Sequence, residues 1–180
     1  MVERTGKSKR DQLSDPLIIA DINATVDFVT GHSSIDSDRI GITGFCMGGR
    51  VTWLAVATNQ IFKAAVPYYG GNIMVPWGDA VEAPLALTSG IKCPVLFHFG
   101  EIDENPSQDD MLVLDKELSA HSVPHQFYTY PGANHAFMNP ANPPRYQRIA
   151  AEMSWPRTLD FFGTLLSRPN ASGADAPACE

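Results

Sequence analysis

The sequence predicts an α/β protein, built as a three-layer α/β/α sandwich around a mainly parallel sheet. Short runs rich in β-branched and aromatic residues alternate along the chain with longer segments whose apolar residues recur at helical spacing. The length of 180 residues suits one domain. Such alternation favours parallel strands joined by helices that cover both faces of the sheet.

Composition argues against several classes of function. The formal net charge is −7, whereas binding to nucleic acid needs clustered lysine and arginine to neutralise phosphates. No apolar run approaches the roughly 18 residues needed to span a bilayer, so we expect no membrane association. The three cysteines, Cys46, Cys93 and Cys179, contain no Cys-x-x-Cys pair, and the N-terminus lacks an apolar signal core. These features favour a reducing cytoplasm and argue against a zinc site.

The first predicted element is an amphipathic helix that opens a domain covering residues 15–167. Residues 1–14 are charged and lack periodic apolar positions, so we expect a flexible lead-in there. Asp15 and Pro16 then predict a helix start, with Asp15 as the cap and Pro16 in the first turn. The helix is expected to end at Gly31.

The remaining elements alternate between strand and helix. Pro67 is unusual for an interior strand, and Pro156 is expected to kink or restart the last helix. Residues 71–90 form a long loop of the type that often lines a site. Residues 168–180, rich in Ala, Pro, Ser and Gly, are expected to be a disordered tail. The predicted strands are 39–45, 64–70, 93–100 and 123–130, and the predicted helices are 48–58, 107–121 and 146–166.

A nucleophile-elbow pattern, GFCMGG at residues 44–49, lies between the first predicted strand and the following helix. Cys46 occupies the nucleophile position of a tight turn, where side chains two residues to either side would collide with neighbouring backbone. The helix start would favour the thiolate form of Cys46, and the N–H of Met47 is the predicted oxyanion donor. The alternative is that Cys46 is a small buried apolar residue.

Two further groups follow the ends of later strands. Asp103 follows the third predicted strand, and His135 follows the fourth. Because ligands of parallel sheets bind at the carboxyl ends of the strands, we expect both side chains to meet Cys46 there. A histidine would accept the nucleophile's proton, and an acid would orient the histidine. Glu101 and Glu104 are competing candidates for the acid.

The other histidines carry no predicted chemistry. His98 lies within a strand and is interpreted as a core or sheet-face residue. His121 and His125 bracket Pro124, which breaks the helix, so their spacing does not form a metal pair on one helix face. The glycines near the elbow do not match a dinucleotide-binding pattern.

The chain resembles the dienelactone hydrolases, also called carboxymethylenebutenolidases, of the α/β-hydrolase fold. Three stretches carry the resemblance: DRIGITGFCMGGR at 38–50, AAVPYYG at 64–70 and YPGANHAF at 130–137. The similarity covers about residues 20–166. It implies hydrolysis of an ester or enol-lactone through a Cys46–His135–Asp103 triad and a thioacyl intermediate, in the catabolism of aromatic compounds. No metal or cofactor is implied, and Phe45, Tyr69 and Phe137 are expected to line the substrate site.

The chain departs from this family in two respects. Full members carry further strands and a helix ahead of the similar region, which supply a second oxyanion donor, a glutamate and an arginine. Members active on dienelactone also carry an arginine four residues after the histidine, where this chain has Asn139. We therefore expect an N-terminally truncated fold whose nucleophile strand lies at an open sheet edge, with self-association through that edge.

Two alternatives to hydrolysis stay open, and the departures support the first. The chain could be a catalytically weak or inactive member of the family that acts as a binding or interaction module. A thiol redox sensor at Cys46 is a third interpretation, although no resolving cysteine lies nearby in sequence.

Overall fold

Four parallel strands form the sheet, in the order β1-β2-β3-β4, in a computed structural model that describes residues 12–167. The strands are β1 (Ile40–Phe45), β2 (Phe62–Tyr68), β3 (Val95–Gly100) and β4 (His125–Tyr130). All neighbouring pairs are parallel. The predicted parallel sheet is therefore confirmed, and its strands all end at one edge.

Helices cover both faces of the sheet and complete the predicted three-layer sandwich. They are α1 (Asp15–Thr30), α2 (Met47–Thr58), α3 (Gln108–Ala120) and α4 (Arg148–Leu166). Short 3-10 helices occupy Ser37–Arg39 and Pro84–Gly90. Of the described helices, none combines the length and apolarity required to cross a bilayer.

Two apolar cores lie on opposite faces of the sheet. Successive strand side chains point to opposite faces, so Phe97 and Phe99 of β3 enter one core whereas Leu96 enters the other. The first core packs against α2 and α3, with Trp53 and Leu114 among its buried residues. The second core packs against α4, and α1 adds partly buried apolar side chains to the first.

The start of α1 differs from the sequence prediction. Ser14 is the N-terminal cap residue, and Asp15 is the first helical residue. Asp15 is 3% exposed, and its carboxylate bonds to Arg50 and to the N–H of Trp77. The prediction of Asp15 as the cap is wrong, because this carboxylate pairs with a distant buried cation.

Pro67 lies inside β2, an interior strand, and interrupts its pairing with β3. Ala65 pairs with Val95, and Tyr68 pairs with His98, so Pro67 lies between the two paired positions. The N–H of Ala65 donates to the Pro94 carbonyl oxygen at 3.0 Å. Pro67 has no N–H to continue that pattern, so the interruption falls where the donor is missing.

The last helix runs through its proline. Pro156 lies inside α4, which continues as one element of 19 residues and does not restart. The predicted lead-in at residues 1–11 and the predicted tail at residues 168–180 lie outside the described residues. Residues 12–14 of the lead-in are described, and Ser14 is buried.

Candidate active site

The turn between β1 and α2 holds Cys46 in an unusual backbone conformation. Its φ is 57° and its ψ is −120°, a region that non-glycine residues rarely occupy. The N–H of Cys46 donates to the Tyr68 carbonyl oxygen at 3.1 Å, which ties the turn to the end of β2. The Cys46 carbonyl oxygen accepts from Gly49 at 2.9 Å. The side chain is exposed at the carboxyl edge of the sheet.

Close backbone approaches explain most of the glycines around this turn. A Cβ at Gly44 would lie 2.2 Å from the Gly48 carbonyl oxygen. Gly49 and Gly70 approach each other so closely that a Cβ on Gly70 would lie 2.5 Å from the Gly49 carbonyl carbon. At Gly48 a Cβ would meet nothing within 4 Å. The predicted steric need for glycine two residues after Cys46 is therefore wrong, because the collision is made by residue 44.

His135 lies within hydrogen-bonding distance of both other side chains proposed from the sequence, Cys46 and Asp103. His135 Nε2 is 3.0 Å from Cys46 Sγ, and His135 Nδ1 is 3.0 Å from Asp103 Oδ2. They follow β1, β3 and β4, at the shared carboxyl edge of the sheet. The arrangement matches the relay in which an acid orients an imidazole that exchanges a proton with a nucleophile.

Each member of this relay shifts the ionisation of the next. Hydrogen bonds to Asp103 and then to Cys46 raise the pKa of His135 from 6.5 to about 9. The hydrogen bond from His135 lowers the pKa of the Cys46 thiol below its ordinary value, although burial opposes this change. The Met47 N–H also favours the thiolate. The two shifts act together, so the geometry favours the thiolate–imidazolium pair over the neutral pair.

The position of Asp103 separates it from the two competing acids. Asp103 is 5% exposed, and its Oδ1 accepts from the Asn105 N–H at 2.8 Å while its Oδ2 faces the imidazole. Glu101 instead accepts from the Gly132 N–H at 2.9 Å and thereby links the two loops. Glu104 lines the cavity above the site.

An open cavity of about 760 Å³ lies over Cys46 and His135. Trp77 and Leu13 contribute apolar surface to its wall. Arg145 is the only arginine or lysine among the described residues that line it. The remaining lining residues are Met47, Gly71, Asn72, Asp103, Glu104, Asn105 and Asn134.

The aromatic residues expected to line the substrate site do not lie on this cavity wall. Tyr69 is 2% exposed and packs edge-on against the His135 ring, with ring centroids 5.1 Å apart. Phe137 is fully buried against Tyr69. Phe45 is 40% exposed but is not among the cavity residues. Tyr69 and Phe137 therefore support the histidine from beneath, because their rings fill the second core.

The predicted oxyanion donor lies at the start of α2, where the first N–H groups of a helix have no partner within the helix. Met47 directly follows Cys46 and borders the cavity. Within residues 12–167, no group of histidine, cysteine and acidic side chains could hold a metal ion.

A buried network of hydrogen bonds lies under the site, and the donor and acceptor of each bond in it can be assigned. Thr158 Oγ1 donates to the Ser154 carbonyl oxygen at 3.2 Å, so it accepts from the Tyr68 hydroxyl at 2.6 Å and from His98 Nε2–H at 3.1 Å. With the proton of neutral His98 on Nε2, its Nδ1 accepts from the Tyr130 hydroxyl at 2.8 Å, and that hydroxyl oxygen accepts from Arg157 Nη1 at 3.1 Å. Burial and Arg157 lower the pKa of His98 to about 3. His98 is thus the core histidine expected from the sequence.

Comparison with known proteins finds one matching family and several similar chains. The model of the dienelactone hydrolase family matches residues 3–166. A relative from Escherichia coli O157:H7, named "Putative carboxymethylenebutenolidase", is 32% identical over 151 residues, covering 84% of this chain and 55% of that protein. A Bradyrhizobium sp protein, named "Probable 2-oxo-3-(5-oxofuran-2-ylidene)propanoate lactonase", is 30% identical over 158 residues, covering 84% and 61%.

The fold has a similar counterpart among solved structures. A "Putative Dienelactone Hydrolase" from Klebsiella pneumoniae subsp. pneumoniae MGH 78578 superposes with a TM-score of 0.75 at 30% identity, covering 84% of this chain and 62% of that one. The chain spans about half the length of the curated relatives it matches.

Proposed function

Because the chain belongs to the dienelactone hydrolase family, we propose that it hydrolyses a carboxylic ester or lactone with Cys46 as the nucleophile. The observation that carries this proposal is the pair of 3.0 Å contacts that join Cys46 to His135 and His135 to Asp103. The lowered pKa of Cys46 and the open cavity above its sulfur support the same reading.

The proposed reaction has two halves. The Cys46 thiolate attacks the carbonyl carbon, and the carbonyl oxygen takes up negative charge beside the Met47 N–H. The intermediate collapses to a thioacyl-enzyme, and the departing alkoxide takes the proton of the His135 imidazolium. Neutral His135 then removes a proton from water, whose oxygen attacks the thioester and releases the acid. Asp103 keeps the imidazole in one orientation and stabilises its charged form throughout.

A substrate with an anionic group suits the cavity. Arg145 offers a cation on the wall, and guanidinium groups bind carboxylates in a planar, two-pronged manner. The name of the Bradyrhizobium relative describes a lactone that also carries a 2-oxo acid. We therefore propose a carboxylate-bearing lactone or ester, in keeping with the catabolism of aromatic compounds. No cofactor or nucleic acid takes part in the proposed reaction, and a cytoplasmic location would keep the nucleophilic thiol reduced.

The proposed nucleophile is tested by trapping the acyl-enzyme. Brief mixing of the protein with p-nitrophenyl acetate should add one acetyl group to the peptide that contains Cys46, seen by mass spectrometry, with release of nitrophenolate. Cys46→Ala should abolish both signals, whereas Cys93→Ala serves as the matched control because Cys93 is buried. Ester turnover that survives in Cys46→Ala would remove the proposal.

A second candidate function, an interaction module that self-associates, is favoured by the open side of β1. Among residues 12–167 this strand ends the sheet, and beside it an apolar groove of about 460 Å³ is lined by Ile22, Val26 and Ile42 among others. Unpaired strand edges next to apolar surface favour pairing with a second copy of the chain.

Sedimentation velocity tests this candidate. A concentration-dependent dimer should dissociate in Ile22→Glu and persist in Leu112→Glu, which alters an exposed residue of α3 outside the groove. A monomer at every concentration would contradict self-association. Substrate affinity without turnover would favour the binding role over the hydrolase.

A further inference from the structure

Arg50 is a fully buried cation that the proposed reaction does not use. It lies in the first turns of α2, four residues after Cys46, and is 0% exposed. Its guanidinium forms a two-pronged ion pair with Asp15, at 2.5 Å from Nη1 to Oδ1 and 2.9 Å from Nη2 to Oδ2. A buried charge of this kind persists only when its donors are satisfied.

The other contacts of Arg50 all reach the loop after β2. Its Nε donates to the Asn72 carbonyl oxygen at 3.1 Å, and Nη2 donates to the Val75 carbonyl oxygen at 2.8 Å. The guanidinium carbon lies 3.7 Å from the centre of the Trp77 ring, a stacked cation–π contact. One side chain therefore holds this loop at three points.

Asp15 completes the clamp from the other side. The N–H of Trp77 donates to Asp15 Oδ2 at 3.0 Å, and the N–H of Asp15 donates to the Trp77 carbonyl oxygen at 3.1 Å. The neighbouring Ser14 hydroxyl donates to Asp79 Oδ1 at 2.6 Å. These bonds join the segment that carries Leu13 to the loop that carries Trp77.

Leu13 and Trp77 are the apolar side chains that line the cavity beside Met47. We propose that Arg50 is a positioning residue, which with Asp15 holds Trp77 and Leu13 as an apolar wall that receives the non-polar part of the substrate. This proposal rests on the proposed hydrolase function. It adds a substrate class, esters or lactones with an apolar or flat unsaturated group, and assigns the buried ion pair to selectivity, separate from the chemical step.

The test uses ester series of increasing length. One series keeps the nitrophenyl group and lengthens the acyl chain from acetate to butyrate to hexanoate, and the other keeps acetate and lengthens the alcohol. In the wild type, kcat/KM should rise in one of the series by roughly fourfold for each added methylene that the wall covers.

The variant replaces both charges, Arg50→Met with Asp15→Leu, because removal of one partner alone would leave a buried unpaired charge. In this variant kcat/KM should rise less with ester chain length, mainly because KM no longer falls. The kcat on acetate should stay within about threefold, and the alkylation rate of Cys46 should be unchanged at each pH. The matched control is Arg148→Met with Glu152→Leu, which removes an exposed pair on α4 and should keep the slope.

Trp77→Ala provides the same test with the ion pair intact. It should flatten the slope as the double variant does, and Trp77→Phe, which keeps a flat ring over the guanidinium, should restore part of it. A wild type without any chain-length dependence, or Trp77→Ala with an unchanged slope, would overturn the inference. Wild-type turnover that is absent or is unaffected by Cys46→Ala would instead count against the hydrolase proposal, so the two failures are distinguishable.

Discussion

Replacement of Asp103 by asparagine tests whether the carboxylate sets the ionisation of the whole relay. Asp103→Asn removes the negative charge that bonds to His135 Nδ1 and is the largest cause of its raised pKa. The pKa of His135 should fall, so the imidazolium no longer persists up to about pH 9. Since the imidazolium stabilises the thiolate, the pKa of Cys46 should rise.

The structure sets the size of this effect. A pKa of about 9 for His135, against 6.5 ordinarily, corresponds to about 3 kcal/mol at about 1.4 kcal/mol per tenfold change in ionisation constant. The His135 side chain is 19% exposed, and Cys46 supplies part of the shift, so we assign about 2 kcal/mol to Asp103 after solvent screening. The thiolate–imidazolium form should then lose about thirtyfold in population relative to the neutral pair.

Alkylation kinetics measure that population directly, because iodoacetamide reacts with the thiolate. Near pH 7 the rate at Cys46 should fall by up to about thirtyfold in Asp103→Asn, and the rising limb of the pH profile should move to higher pH. Burial raises the pKa of Cys93 to about 11, so that thiol stays silent, and a Cys179→Ser background removes the third cysteine. The control Glu104→Gln should keep the wild-type profile. An Asp103→Asn profile that overlays the wild type would refute the reasoning.

Three further predictions follow from individual contacts. Gly44→Ala should lower the free energy of unfolding in denaturant titrations by about 3 kcal/mol, because its Cβ would collide with backbone. Gly48→Ala should raise it by about 0.5–1 kcal/mol, because a Cβ there has free space in a helix. Equal losses in both variants would contradict the conclusion that only Gly44 is sterically required. Thr158→Val should cost about 2–3 kcal/mol by the same measurement, since it leaves two buried donors unpaired, and the exposed control Thr164→Val should change little. Arg145→Gln should raise KM about tenfold for a carboxylate-bearing ester and leave a neutral ester unchanged, and equal effects on both would count against anion recognition.

The sheet and the meeting point of the candidate site could be predicted because both follow from local patterns. Alternating strands and helices imply parallel strands, and parallel strands share a carboxyl edge. Cys46, Asp103 and His135 each directly follow a predicted strand, so the rule for that edge was enough to expect them together. Element bounds moved by only a few residues, as at β2, expected at 64–70 and found at Phe62–Tyr68.

Contacts between residues far apart in sequence could not be predicted in this way. Asp15 preceded a proline at a helix start and therefore matched a cap, whereas its real partner, Arg50, lies 35 residues away. The same limit applied to Phe137, which follows the histidine and was expected on the cavity wall, although the second core buries it. A local sequence pattern does not show which residue from a distant part of the chain will pack against a given side chain.

The two histidines with the largest described shifts show how one side-chain type serves opposite purposes. With a pKa of about 3 the ring of His98 stays uncharged through the neutral range, and with a pKa of about 9 the ring of His135 stays charged there. At pH 7 the imidazole NMR resonances of the two rings should therefore correspond to opposite charge states, the neutral form for His98 and the charged form for His135. The molecule thus holds both forms of the imidazole ring at one pH, and the surroundings of each ring alone decide which form it takes.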